Sequence, residues 1–141
     1  MSKIIKNSNK DNLNSIKMRI INEIKDTVTS TLGPSGKPVL INQGYGTPKM
    51  TKDGVTVAKN IEYADAVENT IATFFKTAAN HTVDQAGDGT TTSILLAASI
   101  YEKAMKGVAV GANSVSVKNG IEKALPVVDK ALNDLKVIIA N

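Results

Sequence analysis

Cysteine is absent from this 141-residue chain, and so is tryptophan. The lack of cysteine excludes disulfides, thiolate metal sites and cysteine nucleophiles, and is compatible with a reducing compartment. Aromatic residues make up 4% of the sequence, too few for the basic, aromatic-studded surface on which nucleic-acid bases stack. Charge of one sign is also scarce in excess: the net value is +4, with basic residues spread along the chain. That mild bias helps an anion approach and argues for no nucleic-acid partner. No apolar run nears the roughly 20 residues that span a bilayer, so no membrane partner is expected. The N-terminal stretch MSKIIKNSNKDN has neither a long apolar core nor an arginine-rich pattern, and it reads as no signal or transit peptide. The single histidine, His81, falls inside a helical pattern with no partner of metal-ligand type, which makes it a surface or helix-packing residue.

What remains is an ordinary globular composition, 42% hydrophobic and 21% charged, enough for one domain with a modest core. Residues 1–12 are polar and rich in Asn and Lys, and read as a loose N-terminal arm. From Leu13 the apolar residues Ile16, Ile20, Ile24 and Val28 follow at three-to-four spacing, which predicts an amphipathic helix. It stops at TLGPSGKP, where Pro34 cannot continue a helix. Val39–Ile41 and Lys49–Thr51 read as two short strands of a hairpin, and a short helix follows from about Val55 to Ile61. A long helix comes next, with Val67, Ile71, Phe74, Phe75, Ala78 and Ala79 on its apolar face, ending near Ala86–Gly87. A second starts inside the threonines, carries Leu95, Ala98, Tyr101, Met105 and Val108, and closes at Gly111. Asn113–Ser114 is a cap signal for a last helix through Val117, Ile121, Ala124, Val128, Leu132 and Leu135, which Pro126 is expected to kink. The fold class is therefore mainly α with one small hairpin. A lone two-stranded hairpin is marginal in water, so a helix face or another chain should support it.

The stretch QAGDGTTTS, Gln85–Ser93, holds more chemistry than a turn needs. Gly87 and Gly89 with one cap, Asp88 or Thr90, would serve a plain helix–helix turn. Three consecutive threonines are a surplus, because threonine is a poor helix former. Free N–H groups at a helix start, hydroxyls and the positive end of the helix dipole suit phosphate. Asp88 would repel phosphate unless it holds Mg²⁺, which prefers hard oxygen ligands and bridges to phosphate oxygens. A Mg-nucleotide site is the sharper reading. GPSGKP lacks the P-loop spacing, and GYGTPK has Lys49 where a dinucleotide fingerprint needs its third glycine. Asp53 is the catalytic candidate: a second carboxylate before a glycine and a helix start suits a cation or a water beside phosphate, and equally suits a plain helix cap.

Three separated pieces, TLGPSGK (Thr31–Lys37), TKDGVTVAK (Thr51–Lys59) and AGDGTTT (Ala86–Thr92), in this order and spacing resemble the GroEL-type, group I chaperonins, as does NGIEKA (Asn119–Ala124). The resemblance covers the chain from about Leu13 onward. It implies a chaperonin equatorial-domain-like helical bundle, with residues 13–141 forming the N-terminal half of a nucleotide-binding equatorial domain. By that resemblance Thr31, Leu32, Gly33 and Pro34 line ATP on its phosphate side, and Asp88 coordinates Mg²⁺. Gly89, Thr90, Thr91 and Thr92 hold phosphates, Lys52 and Asp53 sit at their far end, and Gly54 allows the tight turn. The carbonyl oxygens of Thr31 and Lys52 become candidates for K⁺. The hairpin would complete a sheet in a neighbouring subunit.

The implied activity is ATP hydrolysis in a homo-oligomeric ring that folds unfolded substrate proteins, with a co-chaperonin as a further partner. The implied location is the cytoplasm of a bacterium, a virus-encoded copy there or an organelle matrix being alternatives. Pro126 and ANSVSVK depart from the family's last helix, which has proline just after the asparagine. The family's water-orienting aspartate and its adenine and ribose pocket are expected beyond Asn141. A second reading, a non-catalytic assembly or interaction module, follows from that expectation.

Overall fold

The computed structural model describes residues 10–42, 44 and 46–137. Its first element, α1 (Lys10–Thr29), begins three residues ahead of the expected Leu13. Residues 1–9 of the expected arm lie outside the described residues, while residues 10–12 are helical. Ile20, Ile24 and Val28, one turn apart, are buried on a single face of α1, as their spacing requires. The helix ends by tightening: the N–H groups of Thr31 and Leu32 bond back three residues, to the carbonyls of Val28 (3.2 Å) and Thr29 (3.0 Å). The following loop is closed by the Lys37 N–H donating to the Ser30 carbonyl at 2.8 Å.

Strands β1 (Val39–Ile41) and β2 (Lys49–Thr51) pair antiparallel, with Leu40 opposite Met50. Alternation turns Ile41 inward and leaves Leu40 and Met50 64% and 67% exposed on the outer face. Helix α2 (Gly54–Lys59) ends before Ile61, at the Asn60 cap. It is followed by α3 (Ala66–Ala86), α4 (Thr90–Ala109) and α5 (Ser114–Leu135).

The chain divides into two compact units, residues 1–100 and 101–141. The first has a continuous core of Ile20, Ile24 and Val28 from α1, Val57 and Ala58 from α2, Ala72 from α3 and Ile94 from α4. Two expected core positions differ. Phe74 is 79% exposed, and among the described side chains of α3 the buried one is Ala72. In α4, Ile94 and not Leu95 is fully buried. The side chains of Ala78 and Ala79, expected on the α3 face, lie outside the described ones. At the rim of this unit Arg19 on α1 bonds Glu23 and Glu68 of α3, and the Tyr63 hydroxyl donates to Glu23 at 3.0 Å. Burial, then the Glu23 carboxylate, pushes the Tyr63 phenol up to about 12.

In the second unit α4 closes at Gly111 (φ 103°), and the Ala112 N–H reaches back to the Gly107 carbonyl at 3.0 Å. The Asn113 side chain caps α5, accepting from the N–H groups of Val115 and Ser116 at 2.9 and 3.1 Å, as its position in the sequence predicts. Helix α5 continues through Pro126, and none of its residues is buried.

Candidate functional site

Helix α4 starts at Thr90, the first of the three threonines, one residue after a backbone that only glycine adopts readily: Gly89 has φ 99°. The Gly89 carbonyl accepts the Ser93 N–H at 2.8 Å, so Gly89 occupies the cap position and offers no side chain there. The first-turn N–H groups of α4 thus receive no side-chain cap from it, and the positive end of the dipole is left for a ligand. Asp88 is exposed, and one of its oxygens accepts the Gly89 N–H at 2.6 Å. The three threonines differ in setting. Thr90 is 2% exposed and its buried hydroxyl has no hydrogen-bond partner among the described residues. Thr91 is half-buried and Thr92 exposed.

Helix α2 is capped conventionally. Asp53 accepts the Val55 N–H at 3.3 Å and the Thr56 N–H at 2.9 Å, and the Thr56 hydroxyl also donates to it. The Thr56 hydroxyl above all, then the backbone donors and the charge of Lys59, holds the Asp53 carboxyl below the usual carboxylate range. Both oxygens therefore serve the helix cap in this structure. Lys52 is exposed. The loop after α1 presents Leu32, Gly33 and Pro34 at the surface, whereas Thr31 is buried and its hydroxyl donates to the Val28 carbonyl at 2.7 Å.

The fold brings two of the motif segments together at Gly54, beside the end of α1. A Cβ placed there would lie 1.9 Å from the Thr91 Oγ1 and 3.5 Å from Val28 Cγ1. The start of α2, the start of α4 and the end of α1 therefore meet at one backbone position. This corrects the reason expected for Gly54. Its φ is outside the left-handed region, so it serves close approach and not a tight turn. Gly36, which the sequence offers with Gly33 as a turn glycine, is outside the left-handed region, and a Cβ there would fall 2.2 Å from the Thr31 carbonyl oxygen. No group of three or more His, Asp or Glu side chains is gathered for a metal among the described residues. Mg²⁺ at Asp88 would thus complete its shell with phosphate oxygens and water, its usual habit. The orphan hydroxyl of Thr90, the uncapped α4 start and the exposed Asp88 carboxylate fit a Mg-nucleotide.

A model of the TCP-1/cpn60 chaperonin family matches residues 24–140, which include all three motifs. The chain belongs to this family. Among curated relatives, the chaperonin GroEL of Holospora obtusa is 46% identical over 82% of this chain and 21% of its own length. Chaperonin GroEL 2 of Cereibacter sphaeroides is 48% identical over 77% of this chain and 20% of its own. The chaperonin chain thus spans about a fifth of the length of these relatives. Among solved structures, the chaperonin gp146 of bacteriophage EL 2 (Pseudomonas aeruginosa), crystallised in the presence of ATP-BeFx, matches with a TM-score of 0.72 and 31% identity. That match covers 90% of this chain and 22% of the phage protein. A group III chaperonin in the open state matches with a TM-score of 0.77 over 92% of this chain and 25% of its own, at 22% identity, a likeness of fold. The fold is accordingly the mainly helical, equatorial-domain-like bundle with a small hairpin.

Proposed function

We propose that this chain is the phosphate- and metal-binding half of an equatorial domain in an ATP-dependent chaperonin subunit. The observation that carries the reading is the α4 start: a helix N-terminus that receives no side-chain cap among the described residues, beside an exposed aspartate, with a buried threonine hydroxyl that has no partner among them either. The N–H groups and hydroxyls of Gly89–Thr92 hold phosphate oxygens, and Asp88 orients the cation. Bound Mg²⁺ neutralises charge on the phosphates. Thr31–Pro34 contribute backbone and an apolar edge. The carbonyl oxygens of Thr31 and Lys52 are offered to K⁺, and the Lys52 ammonium lies at the far end of the phosphates. Asp53 fixes the start of α2, and its catalytic part is to orient a cation or water beside the phosphate. A ring of such subunits, engaging unfolded proteins and a co-chaperonin, is the assembly in which the site works, in the cytoplasm of a bacterial cell. Among the described residues no helix is long and apolar enough to cross a membrane.

The test is Mg-dependent ATP turnover by the intact protein and its Asp88→Ala variant. Loss of turnover in the variant, with the fold kept, is expected; near-normal turnover would sink the assignment. The second reading, an assembly module without turnover, is favoured by the outward pair Leu40 and Met50 on the hairpin. It predicts ring incorporation with no ATP hydrolysis by the unsubstituted protein.

A further inference from the structure

We infer that Gly54 is a positioning residue: its bare Cα seats the Thr91 side chain, and this contact sets the first turn of α4 against the first turn of α2. The inference rests on the reading of that turn as a Mg-nucleotide site. Gly54 is buried, helical and outside the left-handed region, so backbone freedom does not explain a glycine there. Helix propensity favours alanine by up to about 1 kcal/mol.

Space explains it. A Cβ would stand 1.9 Å from Thr91 Oγ1 and 3.2 Å from Thr91 Cβ. The obstacle is no flexible chain end. The Thr91 Cβ, at 3.2 Å, stays close in every rotamer, and turning Oγ1 aside either brings the γ-methyl toward the same space or sends the side chain to another of its staggered wells. The other helical glycines contrast: a Cβ would meet nothing nearer than 4.0 Å at Gly107, and nothing within 4 Å at Gly120.

With a methyl at position 54, α4 would have to move, and with it the N–H groups of Thr90–Thr92. Those groups bind only if they converge on one phosphate position. The same contact gives α2 a means to sense the α4 turn, since a ligand that shifts Thr91 must shift Gly54 as well.

The experiment uses the intact protein, with Mg-ATP binding by calorimetry and ligand-free melting temperature as readouts. Four forms are compared: unsubstituted, Gly54→Ala, Thr91→Ser, and the double variant. Serine lacks the γ-methyl, so its hydroxyl can swing away from the methyl introduced at position 54 without another group taking its place. Gly54→Ala is expected to raise the Kd roughly tenfold, the effect of a typical direct side-chain coupling. The double variant should return to within about twofold of Thr91→Ser. Equal affinity of Gly54→Ala and the parent, or no recovery in the double variant, overturns the inference. Should Gly54→Ala fail to fold, recovery of folding by Thr91→Ser supports the contact and continued failure refutes it. A parent that binds no Mg-ATP defeats the functional reading instead, and the melting temperatures of the four forms still decide the contact. Gly107→Ala, the control, should leave Mg-ATP binding unchanged and raise the melting temperature slightly through helix propensity, with nothing nearer than 4.0 Å to oppose its methyl.

Discussion

Within one turn of α4 three identical side chains meet three different environments, and Thr90 has the costliest. Its hydroxyl is buried without a partner among the described residues, a penalty of about 1–3 kcal/mol where nothing accepts or donates. Valine matches its shape. Thr90→Val is therefore expected to raise the ligand-free melting temperature and to shrink the further rise that Mg-ATP produces. Scanning calorimetry with and without nucleotide separates the two effects, and a drop in the ligand-free value would refute the orphan assignment. Asp53 poses the opposite case, a carboxylate with every donor in place. The Thr56 hydroxyl and the backbone donors hold its carboxyl below the usual carboxylate range, so its stabilisation is complete above the unfolded value and is lost as pH falls through the lower, folded one. Asparagine caps nearly as well as aspartate. The melting-temperature gap between the parent and Asp53→Asn should be flat from neutral pH to about pH 5 and narrow below about pH 4. A gap that widens in acid would contradict the cap geometry. Turnover lost in Asp53→Asn without loss of stability would assign Asp53 a chemical role beyond the cap.

Elements were legible where one physical rule dominates. The three-to-four spacing of Ile20, Ile24 and Val28 marks the inner face of α1, and Asn113 marks the start of α5 through a cap that the structure places on Val115 and Ser116. The centre of a helix face is harder to read than its existence. In α3 the period admits Phe74, yet contact with the large residues of α1 calls for the small Ala72, while Ile71 and Phe75 flank it half-buried. Volume complementarity between helices is a property of the pair, and one helix's letters do not carry it. The motifs of the candidate site were each legible, but the meeting of two of them at Gly54 was not, since the letter G does not distinguish a turn from a close approach. Pro126 shows the same limit. It stands inside an unbroken α5, where it removes one hydrogen bond and leaves the Glu122 carbonyl to water, at roughly 3 kcal/mol in an exposed helix. Pro126→Ala should raise helical circular dichroism and slow amide exchange along the middle of α5. Unchanged exchange would mean that the helix already accommodates the proline at little cost.

At the scale of the whole molecule, the distribution of burial is uneven. The first unit owns the core, whereas α5 buries nothing, and Leu125, Val128, Leu132 and Leu135 are each more than half exposed. Their spacing puts them on one helix face. A continuous apolar stripe of this kind is uncommon on monomers that stay soluble. The matched region as a whole makes up about a fifth of the length of the curated relatives. The 141-residue chain by itself is therefore expected to self-associate as concentration rises. Light scattering coupled to size exclusion would read this as an increasing mass. Leu132→Lys with Leu135→Lys should lower that mass toward the monomer, because charge at the stripe's end opposes close packing of two apolar faces. If the double variant associates as strongly as the parent, the sticky surface is elsewhere, with the outward Leu40 and Met50 of the hairpin the next to substitute. Association unchanged by charges at both places would show that neither the α5 stripe nor the hairpin pair governs the assembly of this chain.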